Sequence, residues 1–209
     1  MGLWALVLIY DGFYQEAIWV LAVSAIIDSI DGALARLSGT KKHAPRIDGA
    51  LMDNIIDFLT WTVAPLFWIY ATMDLPIWVL LTCSVASAFG FSNVQAKTED
   101  HFFQGFPSYW NIVVFYIYLL ELPSVFASGV LLMFAVVTFL PVKFLYPSRT
   151  DFLRPLTLGL GTLFMLQLVA LMYYFDESPV LLIYSSFIFP FYYFGLSFYM
   201  NLKTGVTSD

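Results

Sequence analysis

The sequence predicts an all-α fold, a polytopic bundle of membrane-spanning helices, and three observations carry that prediction. Apolar residues make up 60% of the chain and charged residues only 11%, with a mean hydropathy of +0.80. A soluble domain has no core large enough to hide such an excess. The apolar residues also fall into runs near 20 residues long, the length a helix needs to cross a hydrocarbon layer about 30 Å thick. Finally, all nine Lys and Arg residues fall in or beside alternate connections or after the last run, and so on one face, as the positive-inside rule expects of a membrane bundle.

The elements follow in order. "GLWALVLIY" stops at Asp11-Gly12 and is too short to cross. It reads as the back half of a helix whose front half lies outside the sequence. Full spans are predicted near 14–37, 47–72, 76–96, 107–121, 123–142, 153–174 and 178–201, making eight helices with the first. The break "LLELPSV" separates the fifth from the sixth, and Glu121 with Pro123 there predicts a tight turn rather than one long kinked helix.

Arg36, Lys41, Lys42 and Arg46 flank one connection. Lys97 lies in a second, Lys143, Arg149 and Arg154 around a third, and Lys203 after the last span. The opposite loops hold Asp11, Glu16, Asp74, Glu121, Asp176 and Glu177 with no basic residue. The positive-inside rule therefore places both termini in the cytoplasm. No cleavable signal peptide or solenoid repeat is visible. Residues 1–209 read as a single membrane domain. The net charge of −6 comes without any basic face, which excludes a nucleic-acid footprint. The single cysteine, Cys83, lies in an apolar run and excludes a disulfide within one chain.

Residues 28–57 contradict their surroundings, with five aspartates in thirty residues of otherwise greasy sequence. Asp28 and Asp31 sit near the cytoplasmic end of the second helix, Asp53 and Asp57 in the cytoplasmic half of the third. Residues three or four apart are neighbours on a helix surface. Each pair therefore shares a face, and a short connection makes the two helices antiparallel. Turned inward, they bring four carboxylates together just below the membrane surface. Each charge costs about 2.5–3.5 kcal/mol on insertion scales before any mutual repulsion. Arg36 alone cannot neutralise four anions, and carboxylate oxygens suit hard divalent ions such as Mg²⁺, Mn²⁺ or Ca²⁺. Asp48 reads instead as an exposed acid at a helix end. Gly32, Ala35 and Gly49 are small residues beside the acids, where close approach by a ligand or another helix would justify a glycine's cost of about 1 kcal/mol in a helix.

These residues have a recognisable spacing. Asp28-x2-Asp31-Gly32-x2-Ala35-Arg36, twelve residues, then Gly49-x3-Asp53-x3-Asp57 resembles the signature of the CDP-alcohol phosphotransferase family, with all eight fixed positions present. The twelve-residue spacing, "KTEDHFFQGFPSYWN" (97–111) and "YPSRTDFLRP" (146–155) resemble its bacterial phosphatidylcholine-forming branch. The resemblance spans the chain apart from the first helix. It implies that Asp28, Asp31, Asp53 and Asp57 hold two divalent ions, Mg²⁺ or Mn²⁺. It further implies that Asp28, Gly32, Ala35, Arg36, Gly49 and Asp53 bind CDP, and that Asp57 is the general base. The implied reaction transfers a phosphatidyl group from CDP-diacylglycerol to choline, releasing CMP, at the cytoplasmic face of a bacterial inner membrane. A homodimer is implied as well, although no helix face announces a partner surface.

Choline carries a quaternary ammonium, which aromatic faces attract by cation–π interaction. Trp61, Phe106, Tyr109 and Trp110 are the candidates, with Glu99 or Asp100 as counter-charge. Aromatic residues are abundant in this chain, and Trp and Tyr also populate membrane interfaces for other reasons. Arg149 and Arg154 are candidates for the lipid phosphate, or topology anchors. Two alternatives stand beside this reading. One is transfer to serine, glycerol phosphate or inositol phosphate, where anionic acceptors call for more basic residues. The other is divalent-ion transport, which usually places its site at the midplane between inverted repeats.

Overall fold

The computed structural model describes residues 1–38, 46–96, 98, 102–147 and 150–204, excluding the side chains of 32, 33, 36, 203 and 204. Among these residues the protein is mostly helical. Helix α1 spans Gly2–Tyr10, α2 Tyr14–Leu37, α3 Gly49–Thr72, α4 Ile77–Ser92, α5 Trp110–Leu119 and α6 Ser124–Thr138. Helix α7 spans Arg154–Tyr174 and ends in a 3₁₀ turn, Phe175–Glu177; α8 covers Val180–Ser186 and α9 Ile188–Thr204. Every predicted run contains helix.

The punctuation explains the boundaries. Pro76, Pro123 and Pro179 stand at the N-caps of α4, α6 and α8, and Pro155 lies in the first turn of α7, positions where no intrahelical N–H is lost. Gly12, at φ +82°, makes the turn between α1 and α2. Between α5 and α6, Glu121 takes φ +48°, so that break is the expected tight turn.

Three stretches among the described residues are long and apolar enough to cross a membrane: Gly49–Thr72, Arg154–Glu177 and Val180–Leu202. Helices α4, α5 and α6 are apolar but shorter. Large apolar side chains such as Val125, Phe126 and Leu181 stand exposed. A lipid-facing exterior accounts for them, whereas water would penalise so much apolar surface.

Two features depart from uninterrupted helix. The last predicted span breaks at Phe187, because Pro190 has no N–H for the carbonyl of Ser186 and its ring would clash there. In α3, residues Phe58–Val63 form a π-helical turn, with Ala64 N–H donating to Leu59 O. Pro65 follows immediately and cannot donate to Trp61, and the chain meets that loss by widening the turn before it.

The all-α expectation also needs an amendment. Strand β1 (Phe102–Gln104) pairs antiparallel with β2 (Lys143–Leu145), with Phe103 opposite Phe144. The other edge of β2 is capped by side chains of α9. Asn201 Oδ1 accepts from Lys143 N at 2.8 Å while its Nδ2 donates to Lys143 O at 2.6 Å. Ser197 Oγ accepts from Leu145 N at 3.1 Å, and Tyr193 OH donates to Leu145 O at 3.1 Å. Residues 193, 197 and 201 recur at the four-residue spacing of one helix face, so α9 takes the place of a third strand.

Helix α1 lies against α2 and the later part of α3, α3 also contacts α4 and α5, α4 packs on α6, and α7 meets α2 and α8. Gly2 permits the α1–α3 approach, since a Cβ there would sit 2.6 Å from Leu59 Cδ2. The core centres on Trp68, Ile69, Phe115, Leu131 and Phe164. Polar links fasten the end of the bundle away from the aspartates. Trp68 Nε1 donates to Tyr14 O at 3.1 Å, and Gln15 Nε2 donates to Met172 O and Tyr173 O at 2.9 and 3.1 Å. With α2, α3 and α7 pinned at that end, their other ends are fixed in relative rotation.

Candidate active site

Asp28 on α2 meets Asp53 and Asp57 on α3. One carboxylate oxygen from each lies within 4.8 Å of the others, and all three side chains are half-buried. The local sequence explains the aim of α3. Asp48 caps its N-terminus, its Oδ1 accepting from Ala50 N at 3.0 Å and Leu51 N at 3.1 Å, which starts the helix at Gly49. Asn54 Nδ2 donates to Phe91 O at 3.0 Å, tying α3 to α4 and fixing its rotation. Asp53 and Asp57, one turn apart, then face α2 together. Asp57 Oδ1 is buried.

The fourth predicted aspartate stands apart. Asp31 is exposed and lies outside this three-carboxylate group. Ala35 is half-buried on α2, while the side chains of Gly32 and Arg36 lie outside the described residues. Among the described residues nothing lies within 4 Å of where a Cβ at Gly49 would point.

One cavity adjoins the carboxylates, and a second adjoins the first. The first, of about 500 Å³, is walled by Asp28, Ser29, Trp61, Asn111 and apolar residues of α2, α3, α5 and α7. The second, of about 640 Å³, runs among α5, α6, α7 and α9 and includes Trp61, Phe106, Tyr109 and Tyr193. Trp61, Ile112 and Met165 border both. Trp61 lies four residues after Asp57 within the π turn, a distortion often found at functional sites. Among the described residues no basic side chain lines either cavity.

The aromatic candidates divide. Trp61 and Phe106 each approach Tyr109, with ring centroids 6.1 and 6.3 Å away, on the wall of the larger cavity. Trp110 lines neither; it is fully buried and its Nε1 donates to Ser87 Oγ at 2.6 Å. Ser108 Oγ donates to the same Ser87 hydroxyl at 3.2 Å and takes φ +57°. Gly105, at φ +79°, brings its backbone so close to α6 that a Cβ would fall 2.3 Å from Thr138 O. The segment 105–110 is thus tightly held where it presents Phe106 and Tyr109. Arg154 opens α7, half-exposed, 4.0 Å from Asp151, and lines neither cavity. Glu99, Asp100 and Arg149 lie outside the described residues.

The structure adds two residues that the sequence leaves unmarked. Asn111 places a buried Oδ1, without a hydrogen-bond partner among the described residues, on a helix that walls the smaller cavity. Tyr193 enters the aromatic group from the far end of the chain. One Asn opening an apolar run and one Tyr among many give no local signal; only a polar stripe at 193, 197 and 201 hints at a buried face.

Comparison with known proteins agrees with this geometry. A family model described as CDP-alcohol phosphatidyltransferase matches residues 1–141. Phosphatidylcholine synthase of Legionella pneumophila is 41% identical over 158 residues, covering 73% of this chain and 62% of that one. The Legionella bozemanae enzyme of the same name is 39% identical over 158 residues, covering 73% of each chain. That of Rhizobium meliloti is 34% identical over 171 residues, 79% of this chain and 71% of its own. No solved structure matches. The chain belongs to the CDP-alcohol phosphatidyltransferase family.

Proposed function

We propose that this protein is a phosphatidylcholine synthase, transferring the phosphatidyl group of CDP-diacylglycerol to choline and releasing CMP. The observation that carries the reading is the convergence of Asp28, Asp53 and Asp57 within 4.8 Å beside a largely apolar cavity that Asp28 itself borders. The names of the Legionella and Rhizobium relatives point the same way.

The donor set suits divalent cations: clustered carboxylate oxygens, half-buried, with open space at Gly49. Asp28, Asp53 and Asp57, joined by Asp31 from the exposed edge of the site on α2, would hold two ions, Mg²⁺ or Mn²⁺. When bound, such ions supply charge neutralisation at the diphosphate and its leaving group. The chain's own residues do the rest. Gly32, Ala35, Arg36 and Gly49 cradle the CDP moiety, with the Arg36 guanidinium offering its donors to phosphate. Asp57 accepts the proton of the choline hydroxyl. The freed oxygen bonds to the phosphorus that carries diacylglycerol, and the bond from that phosphorus to CMP breaks, with the electron pair leaving on CMP.

The lipid tails enter sideways from the bilayer, which suits a cavity open among helices and walled by apolar residues. Choline enters at the aromatic end of the larger cavity, against Trp61, Phe106 and Tyr109. Anionic acceptors such as serine, glycerol phosphate or inositol phosphate fit less well, given the lack of basic lining among the described residues. In the membrane we place eight helices, both termini and the carboxylates on the cytoplasmic side of a bacterial inner membrane, with a homodimer as the assembly.

The experiment is CMP release by the purified protein in lipid nanodiscs with CDP-diacylglycerol, Mg²⁺ or Mn²⁺ and one acceptor at a time. Choline alone should support release. Release driven by serine or a sugar or polyol phosphate, and not by choline, would reassign the acceptor.

A further inference from the structure

Tyr193 belongs neither to the aspartate motif nor to the acceptor residues named above, yet it lines the same cavity as Trp61, Phe106 and Tyr109. It is 6% exposed and borders the 640 Å³ cavity together with Trp61 and Tyr109. Tyr109 stands between the other two rings. Its centroid is 6.1 Å from Trp61 at an interplanar angle of 58°, and 6.5 Å from Tyr193 at 63°. Rings so inclined are not stacked on one another, and all three border the one cavity. Two supports fix Tyr193. Its hydroxyl donates to Leu145 O on β2, and Phe144 stacks behind it at 6.3 Å and 14°. Ser197 and Asn201, further along the same face of α9, hold β2 itself.

The chemistry of the walls defines the ligand. Among the described residues no acidic side chain lines this cavity, and its polar side-chain atoms are a few Thr and Tyr hydroxyls set among apolar walls. A cation bound here is held by aromatic faces. An ammonium with N–H groups would bury donors among few acceptors, which is costly, whereas a trimethylammonium has no donors to leave unpaired. The position also fits a two-carbon arm. Trp61 lies four residues along α3 from Asp57 and also walls the smaller cavity that Asp28 borders, so a headgroup against Trp61 sits on the side of this cavity that faces the carboxylates.

We propose that Tyr193 is a specificity-determining residue that, with Trp61 and Tyr109, forms the trimethylammonium site and selects the fully methylated amine over amines carrying N–H. The proposal rests on the choline reading above, and one experiment separates the two. CMP release from CDP-diacylglycerol is measured against choline, N,N-dimethylethanolamine and ethanolamine, for the full chain in nanodiscs and for Tyr193→Leu and Tyr193→Phe. The unaltered protein should prefer choline, with kcat/KM falling at each loss of a methyl group. In Tyr193→Leu the KM for choline should rise roughly five- to thirty-fold, the worth of one ring face, and the preference should shrink while the KM for CDP-diacylglycerol holds. Tyr193→Phe keeps the face and loses the hydroxyl's ties to Leu145 O and to the Tyr109 side chain, so it should keep the preference with a smaller rise in KM. This second variant decides the matter if the leucine protein does not fold, because loss of preference in Tyr193→Phe would overturn a role for the ring. Choline-dependent release with Tyr193→Leu unchanged in KM and preference overturns the site alone. Absence of choline-dependent release in the unaltered protein overturns the function, and the site with it.

Discussion

Asp28, Asp53 and Asp57 each bring a carboxylate oxygen within 4.8 Å of the others. Two unit charges about 5 Å apart repel by about 3 kcal/mol at an effective dielectric constant near 20. A shared divalent cation would offset such repulsion, and the convergence of the three carboxylates is the basis of the proposed chemistry. Asp57→Asn preserves shape and removes the base. It should lower turnover by about 10²–10⁴-fold while CDP-diacylglycerol still binds in a filter or fluorescence assay; activity like that of the unaltered protein would remove Asp57 from the base role. Chelation should abolish turnover, and Mg²⁺ or Mn²⁺ should restore it. The i, i+4 spacing of Asp53 and Asp57 is legible in the sequence, because helix periodicity alone puts them on one face. The separate place of Asp31 is not. A three-residue step lands on the neighbouring turn but rotates far enough to leave the group, and only the packing of α2 on α3 decides which neighbour stays inside.

Each element is legible to the degree that its signal is local. Runs of apolar residues and the prolines at 76, 123 and 179 mark where α4, α6 and α8 begin. The π turn at Phe58–Val63 leaves no trace in a pattern of 3.6 residues per turn, although Pro65 is its cause in the sequence. The β1–β2 pair is invisible for a different reason. Three-residue strands are too short to show alternation, and their partners lie about 40 residues apart and on a helix face. That small sheet makes its own prediction. Asn201→Ala removes both hydrogen bonds to Lys143 and should lower stability by about 1–3 kcal/mol, seen as a reduced Tm in detergent. Gly105→Ala should cost at least as much, because a side chain at φ +79° is strained and would strike Thr138 O; an unchanged Tm for either would mean that β1–β2 does not brace the bundle.

Across the whole molecule, charge and shape work together. The carboxylates lie at the end of α2 and α3 that carries the basic connection, Arg46 included, while Asp74 and Glu121 mark the opposite loops. Cys83, the one native thiol, is buried, which leaves the protein nearly silent to thiol reagents and ready for topology mapping. Asp74→Cys should react with a membrane-impermeant maleimide added to intact spheroplasts, and Ser38→Cys should react only after permeabilisation. The reverse pattern would invert the orientation. Helix positions and charge segregation are plain in the sequence because they are summed over many residues. The shared wall between the two cavities is not, since Trp61, Ile112 and Met165 come together only through tertiary packing.

The central claim is that carboxylates from α2 and α3 jointly bind divalent cations. The most direct test is Mn²⁺ titration followed by electron paramagnetic resonance, using the full chain with CDP-diacylglycerol and the variants Asp28→Asn and Asp53→Asn. Loss of tight Mn²⁺ binding in both, one from each helix, is the predicted result. Undiminished Mn²⁺ binding in the two variants would contradict it.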